Sequence, residues 1–117
     1  MSSLEASLSP LVEAPGVSTV ALVDAVTGLT YSRAGAGEAD GVEYCEFATL
    51  VGDRLHAAGA QGELESIVIT GARHHLVLRT VPQPGDPLLL AAVLERDQVN
   101  LALVLRQLSA YTTGPRP

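Results

Sequence analysis

The sequence predicts a domain of the α/β (α+β) class, in which an antiparallel sheet carries helices on both faces. Short β-rich segments are joined in pairs by turns of a few residues, and such hairpins pair antiparallel. Two segments, Val17–Asp24 and Pro87–Leu94, are apolar almost throughout, as in strands that are covered on both faces. Longer segments with helical spacing of their apolar residues would provide that cover.

The composition fits one domain with one hydrophobic core, because the chain has 117 residues and 47% of them are apolar. Only 17% are charged, which leaves more apolar surface uncovered and favours self-association. The net charge is −6, and seven scattered arginines without any lysine form no basic stripe. This pattern argues against nucleic-acid binding, which needs a basic patch against the phosphates.

The single cysteine, Cys45, excludes a disulfide within the chain. The first residues lack the basic and apolar regions of a signal peptide, and no apolar run reaches the ~18 residues of a membrane span. Abundant Ala, Gly, Arg and Pro beside the missing lysine suggest a GC-rich genome. We therefore expect a bacterial, cytoplasmic protein.

The first half of the chain predicts a helix followed by a hairpin. Residues 3–14 have one-sided helical spacing, but Pro10 lies inside, so the helix either kinks at Ser9 or is followed by a separate short turn that Ser9 caps. Val17–Asp24 is predicted to be a central strand and Leu29–Arg33 an edge strand, with a turn at 25–28 that uses the positive φ of Gly28.

A loop at 34–41 leads into a helix from about 40 to 59, which Gly59 ends. Its apolar residues occupy a broader arc than one core surface requires, so the helix should pack against the sheet and against something else. The broad face consists of Tyr44, Phe47, Leu50, Val51, Leu55 and Ala58. The small residues Cys45, Ala48 and Gly52 form one flank of this face, where another helix could approach closely. A helix–helix dimer contact and packing onto the chain's own sheet both explain that flank.

The second half predicts three strands and a helix. Leu64–Thr70 and His74–Val81 form a hairpin, a proline-fixed loop follows at 82–86, and Pro87–Leu94 is the fifth strand. A helix is predicted from about 95 to 110, and Tyr111–Pro117 is predicted to be a loose tail.

The residues that could carry chemistry do not form a recognisable catalytic or metal site. His74 and His75 would point to opposite faces of a strand, and His56 has no ligand spacing with either, so partly exposed strand-end histidines are expected. Cys45 has Glu43 and Glu46 close to it in sequence and no nearby base, which disfavours a nucleophile. The glycines at 35 and 37 match no phosphate-binding motif, and Asp24 is expected to bind turn amides.

Two segments carry a resemblance to a known family. The chain from Pro15-Gly16-Val17 through VALVDAVTGL (Val20–Leu29) resembles the opening of roadblock domains, the family of dynein light-chain roadblock proteins and bacterial small-GTPase regulators. His74–Leu108 resembles the closing hairpin and helix of that family. The element order agrees over nearly the whole chain, although Pro10 and the short 60–63 connection depart from the pattern.

The resemblance implies a single domain over residues 1–111, with a flexible tail at 112–117. It implies a five-stranded antiparallel sheet in the order 2-1-5-4-3, with the middle helix on one face and the terminal helices on the other. It also implies a homodimer, in which the third strands pair and the middle helices pack together. The expected dimer-contact residues are Cys45, Ala48, Gly52, Leu55, Ser66 and Val68.

The function that the resemblance implies is the non-catalytic regulation or scaffolding of a Ras-like small GTPase in bacterial signalling, with a sensor kinase as a further partner and with no cofactor or metal. The expected partner-binding residues are Asp40, Glu43, Glu46, Asp53 and Arg54. The alternatives are a small-molecule-sensing or general protein-interaction domain of similar shape, and a small hydrolase or transferase. A sensor would need inward polar groups in a pocket, and residues 42–58 and 95–108 offer few.

Overall fold

The computed structural model describes residues 3–37, 40–82 and 85–113, and side chains from residue 8 to residue 112 within those ranges. Three helices and five strands follow one another in the order α-β-β-α-β-β-β-α. They are α1 (Ser3–Val12), β1 (Val17–Asp24), β2 (Thr30–Gly35), α2 (Gly41–Ala57), β3 (Ser66–Thr70), β4 (His74–Val81), β5 (Leu88–Glu95) and α3 (Leu101–Thr113). Within the described residues, no helix combines the length and the apolar character needed to cross a bilayer.

The five strands form one sheet in the order β2-β1-β5-β4-β3, and every neighbouring pair is antiparallel. The predicted strand order and fold class are therefore confirmed. The two apolar strands lie where prediction put them, because β1 and β5 are at the centre and are buried on both faces. β2 and β3 are the edges, and each pairs with one neighbour only.

The main core lies between the sheet and the two terminal helices. Leu8 of α1 and Leu108 of α3 are almost fully buried there against alternate residues of β1, β4 and β5. Arg79 of β4 ties α3 to this face, because its guanidinium donates to the hydroxyls of Thr112 (3.0 Å) and Ser109 (3.2 Å).

The opposite face carries α2 and is less completely covered. Its buried residues fall into two small clusters, one around Val23 and Leu89 and the other around Tyr44 and Leu78. The predicted division of the helices between the two faces is thus what the structure shows.

Several predicted element bounds are corrected by the structure. α1 is one helix that continues through Pro10 and ends at Val12, because Leu8 anchors it in the core. α3 begins at Leu101 rather than near residue 95: residues 95–99 form a turn, and the Asn100 side chain accepts from the amide of Leu103 at 3.1 Å.

The predicted loose tail is wrong for residues 111–113. These residues are the last turn of α3, and Thr112 is buried beneath Arg79. The physical reason is the hydrogen bond from Arg79 of β4, which lies 33 residues earlier in the sequence. No local pattern predicts such a contact. The rest of the predicted tail, 114–117, lies outside the described residues.

Candidate interaction surfaces

The N-terminus of α2 is fixed in place by a cap and by a close backbone contact. Asp40 is the N-cap, and its Oδ1 accepts a hydrogen bond from the amide of Glu43 at 3.1 Å. Gly41 is pressed against the β1–β2 turn, where a Cβ at position 41 would lie 2.1 Å from the carbonyl oxygen of Gly28. These contacts set the point from which α2 crosses the sheet.

The inner side of α2 packs on the chain's own sheet. Tyr44 contacts Leu78 and Ala91, and burial, followed by the charges of Asp40 and Glu43, raises its pKa. Cys45 is buried, and its Sγ donates to the carbonyl oxygen of Ala25 at 2.8 Å.

The predicted small-residue flank is used within the protomer at two of its three positions. Cys45 is buried, and Ala48 packs against the cluster that contains Val23 and Leu89. Gly52 is half-buried, and a Cβ there would meet only Cδ2 of Leu64, at 3.9 Å. Leu55 is also half-buried. The flank therefore serves the fold itself, and its part in a dimer stays a prediction.

The outer side of α2 leaves large apolar side chains uncovered. Phe47 follows Tyr44 by one helical turn and is 39% exposed, and Leu50 is 51% exposed. Sequence reasoning placed both on the broad apolar face but named neither as an interaction residue. The signal for them was the excess width of that apolar arc, since the sheet can cover only part of it.

The edge strand β3 lies below the Tyr44 side of α2. Tyr44, the neighbour of Phe47 on the helix surface, packs against Ile67 of β3, which places this flank of α2 above the β3–β4 half of the sheet. Ser66 and Val68, both predicted contact residues, are exposed, and Val68 retains 42% of its accessible surface. β3 thus offers an open backbone edge beside an open helix flank.

The predicted partner-binding residues all lie at the surface. Glu43, Glu46, Asp53 and Arg54 are exposed along α2, and Asp40 is exposed at its start. The helix therefore presents four carboxylates and one guanidinium to solvent beside Phe47 and Leu50.

The residues considered for chemistry are dispersed or engaged. His74 is exposed, but His75 is buried and its Nδ1 lies 2.7 Å from the Thr70 hydroxyl, which corrects the prediction that both are partly exposed strand-end residues. The register explains the difference, because His75 lies between Thr70 of β3 and Leu94 of β5. In the described part of the chain, no three His, Cys, Asp or Glu side chains are grouped as metal ligands.

Asp24 organises the β1–β2 turn. Its Oδ1 accepts hydrogen bonds from the amides of Val26 (2.7 Å) and Thr27 (2.9 Å), and its Oδ2 accepts from the Tyr31 hydroxyl (3.0 Å). The amide bonds from Thr27 and Val26 are the main reason why its pKa is lowered. The structure therefore shows the turn-amide role that was expected of Asp24.

The fold is shared with solved structures. Myxococcus xanthus MglB matches with a TM-score of 0.83 and 18% identity, over 96% of this chain and 90% of that one. A Roadblock/LC7 domain from Streptomyces avermitilis matches with a TM-score of 0.66 and 18% identity, over 87% and 91%. An MglB structure described as having a tetrameric arrangement matches with a TM-score of 0.73 and 15% identity, over 89% and 78%. No protein-family model and no curated protein matches the sequence.

These likenesses confirm the resemblance at the level of the fold: the chain has the roadblock fold. Because the sequence identities are below one fifth, these matches establish the fold only. The function has to be argued from the residues of this chain.

Proposed function

We propose that this protein is a homodimeric, non-catalytic regulator or scaffold that binds a Ras-like small GTPase in bacterial signalling. The observation that carries the proposal is the uncovered flank of α2 beside an open edge strand, in a chain with the roadblock fold. A partner surface would cover Phe47 and Leu50, and a partner strand would pair with the backbone edge of β3. A second copy of the same chain supplies both at once, and a closed two-fold dimer leaves no open edge at β3.

The residues of β3 indicate how two copies would pair. The strand reads Ser-Ile-Val-Ile-Thr, which is nearly the same in both directions. A two-fold axis through Val68 pairs Val68 with its mate, Ile67 with Ile69, and Ser66 with Thr70. A shift to an axis through Ile67 would set Ser66 against Val68 and leave both Ile69 and Thr70 without a partner in the strand. The axis at Val68 is therefore the register in which like meets like along the whole strand.

Such a pairing would join two sheets into one and bring both α2 helices onto the same face. Their apolar flanks, with Phe47 and Leu50, would then face each other across the axis. Glu43 lies one helical turn before Phe47 and would border this contact, whereas the carboxylates of Glu46 and Asp53 would remain outside, and we assign them to partner binding. The tetrameric arrangement described for one MglB structure supports self-association in this fold.

The non-catalytic part of the proposal rests on where the reactive side chains lie. Cys45 is buried with its thiol bound to the Ala25 carbonyl, and Asp24 is occupied by two amides and a tyrosine hydroxyl. A protein of this kind would act on a GTPase by positioning it or by presenting it to another component.

The experiment is a pull-down from the source organism with the full chain as bait, run in GDP and in a non-hydrolysable GTP analogue, with retained proteins identified by mass. We expect a small GTPase to be retained more strongly in one nucleotide state. A Glu46→Arg bait should retain less of it, and a Glu95→Arg bait, changed at the end of β5, should retain as much as the wild type. Absence of any GTPase in both states would overturn the proposed function.

A further inference from the structure

A second uncovered apolar surface lies at the opposite edge of the sheet from β3. Three large side chains form it, and we call them the turn patch: Val26, Leu29 and Val42. They are 66%, 59% and 54% exposed, respectively. Single exposed apolar residues are ordinary, whereas several together mark an interaction site.

Backbone contacts hold these three residues together. A Cβ at Gly28, between Val26 and Leu29, would lie 2.6 Å from the Cα of Val42, so the turn and the first turn of α2 touch. The Tyr31 hydroxyl is bound to Asp24, whose other oxygen holds the amide of Val26. The patch is therefore fixed before any partner arrives, which reduces the entropy cost of binding.

Carboxylates surround the turn patch. Glu46 follows Val42 by one helical turn and is exposed, as is the N-cap Asp40. On the other side, the pKa of Tyr31 is raised mainly by its hydrogen bond to Asp24 and further by the charges of Asp24 and Asp86. Arg33, the cation on the same strand, donates to the carbonyl of Gly37 at the far end of β2.

A surface with an apolar centre and an acidic rim favours a partner surface that carries positive charge. A second copy in a two-fold contact would bring the Glu46 side chains of the two chains close together, which is repulsive. The proposed dimer surface does not use the patch either, because Phe47 and β3 lie on the other flank of α2. A contact face with an apolar centre and basic side chains around it complements the patch in both respects.

We propose that the turn patch is the docking surface for a protein partner whose contact face has an apolar centre rimmed by lysine and arginine. This goes beyond the proposed function, because it assigns a surface and a partner chemistry that hold whether or not the partner is a GTPase.

The test is site-specific photo-crosslinking in cells of the source organism. The full chain carries p-benzoyl-phenylalanine at Leu29, and the matched control carries it at Leu103, an exposed leucine of α3 on the other face. We expect a discrete adduct at Leu29 that is absent at Leu103, with a crosslinked peptide in which an apolar residue is flanked by Lys or Arg. Val42→Asp should reduce the adduct by about tenfold or more, as loss of a central interface residue does, and Glu46→Arg should reduce it by a smaller factor, because a charge in the rim mainly changes the association rate.

The variants are chosen so that the fold is kept. Val42 and Glu46 are exposed, and an aspartate in the first turn of α2 is favoured by the helix dipole. Circular dichroism of each purified variant checks this directly. The proposal is overturned by no adduct at Leu29, by the same adduct at Leu103, by an adduct with this chain itself, by a crosslinked peptide without basic flanks, or by an adduct that Glu46→Arg leaves unchanged. An adduct of the expected chemistry with a protein other than a GTPase supports the patch and argues against the proposed function.

Discussion

Gly41 and Gly28 are in direct backbone contact, since a Cβ on Gly41 would be 2.1 Å from the Gly28 carbonyl oxygen. The contact joins the start of α2 to the turn between the first two strands. It fixes the height of the helix above the sheet, and with it the positions of Val42 and the α2 carboxylates. The two glycines thus connect the turn to both candidate interaction surfaces.

We expect Gly41→Ala to lower the free energy of unfolding by about 2 kcal/mol, as overpacking of a closed contact does. The added methyl group cannot be accommodated, because the atom it meets is backbone. Gly52→Ala, in the same helix, should instead raise the free energy of unfolding by about 0.5–1 kcal/mol, since its Cβ meets Leu64 only at 3.9 Å and alanine is the better helix former. Urea denaturation followed by circular dichroism at one protein concentration measures both. Equal effects of the two substitutions would contradict the assigned contact.

Asp24 should make stability depend on pH in the acid range. Its pKa is lowered in the folded state, chiefly by the amides of Thr27 and Val26, from an ordinary value of 3.8. The stabilisation of the folded state by ionised Asp24 is therefore complete above pH 3.8. It is lost as the pH falls through the lower pKa that Asp24 has in the folded state. Asp24→Asn removes this contribution, so we expect it to be less stable than the wild type at neutral pH.

The difference in stability between the wild type and Asp24→Asn should shrink as the pH falls, because protonation of Asp24 removes the stabilisation that only the wild type has. The other carboxylates titrate in both proteins and cancel. Tyr31→Phe is the matched control: it removes the hydroxyl bond to Oδ2 and keeps both amide bonds to Oδ1. It should show a smaller pH-dependent loss than Asp24→Asn. A difference that stays constant through the acid range would exclude Asp24 as the titrating group. Urea midpoints measured across that range provide the data.

The sheet could be predicted from the sequence, whereas the uncovered surfaces could be predicted only in part. Val17–Asp24 and the apolar run ending at Leu94 carry their own signal, because a strand buried on both faces must be apolar throughout. The width of the α2 apolar arc showed that a second partner surface exists. It could not show which residues remain uncovered, because that depends on how α2 crosses the sheet, and the Gly28–Gly41 contact sets this.

Other features depend on contacts between distant residues and have no local pattern. His75 is buried because its register places it between Thr70 and Leu94. The last turn of α3 is ordered where Arg79 reaches Thr112. The turn patch combines residues of a turn and of a helix, and each of them taken alone is an ordinary exposed side chain.

Phe47→Glu should convert the proposed dimer into a folded monomer. Phe47 is 39% exposed in the protomer, so a charge there costs the fold little, whereas a buried dimer contact would not accept it. Leu103→Glu is the matched control, because Leu103 is 40% exposed and lies on α3. Sedimentation velocity should give a dimer for the wild type and for Leu103→Glu and a monomer for Phe47→Glu. A wild-type monomer, or a dimer that survives Phe47→Glu, would contradict the assignment of this flank.

Val68→Cys should crosslink two protomers through a disulfide if the two-fold axis passes through Val68. Directly opposed residues of an antiparallel pair have Cα atoms about 4.5–5.5 Å apart, which is within the range that a disulfide spans. The chain would carry Cys45→Ala so that no other thiol is present. Ser66→Cys alone and Thr70→Cys alone should stay reduced, whereas a mixture of the two should crosslink, because each faces the other across the axis. Non-reducing electrophoresis after mild oxidation separates these outcomes. A dimer by sedimentation that crosslinks through Ser66→Cys alone would place the axis elsewhere along β3.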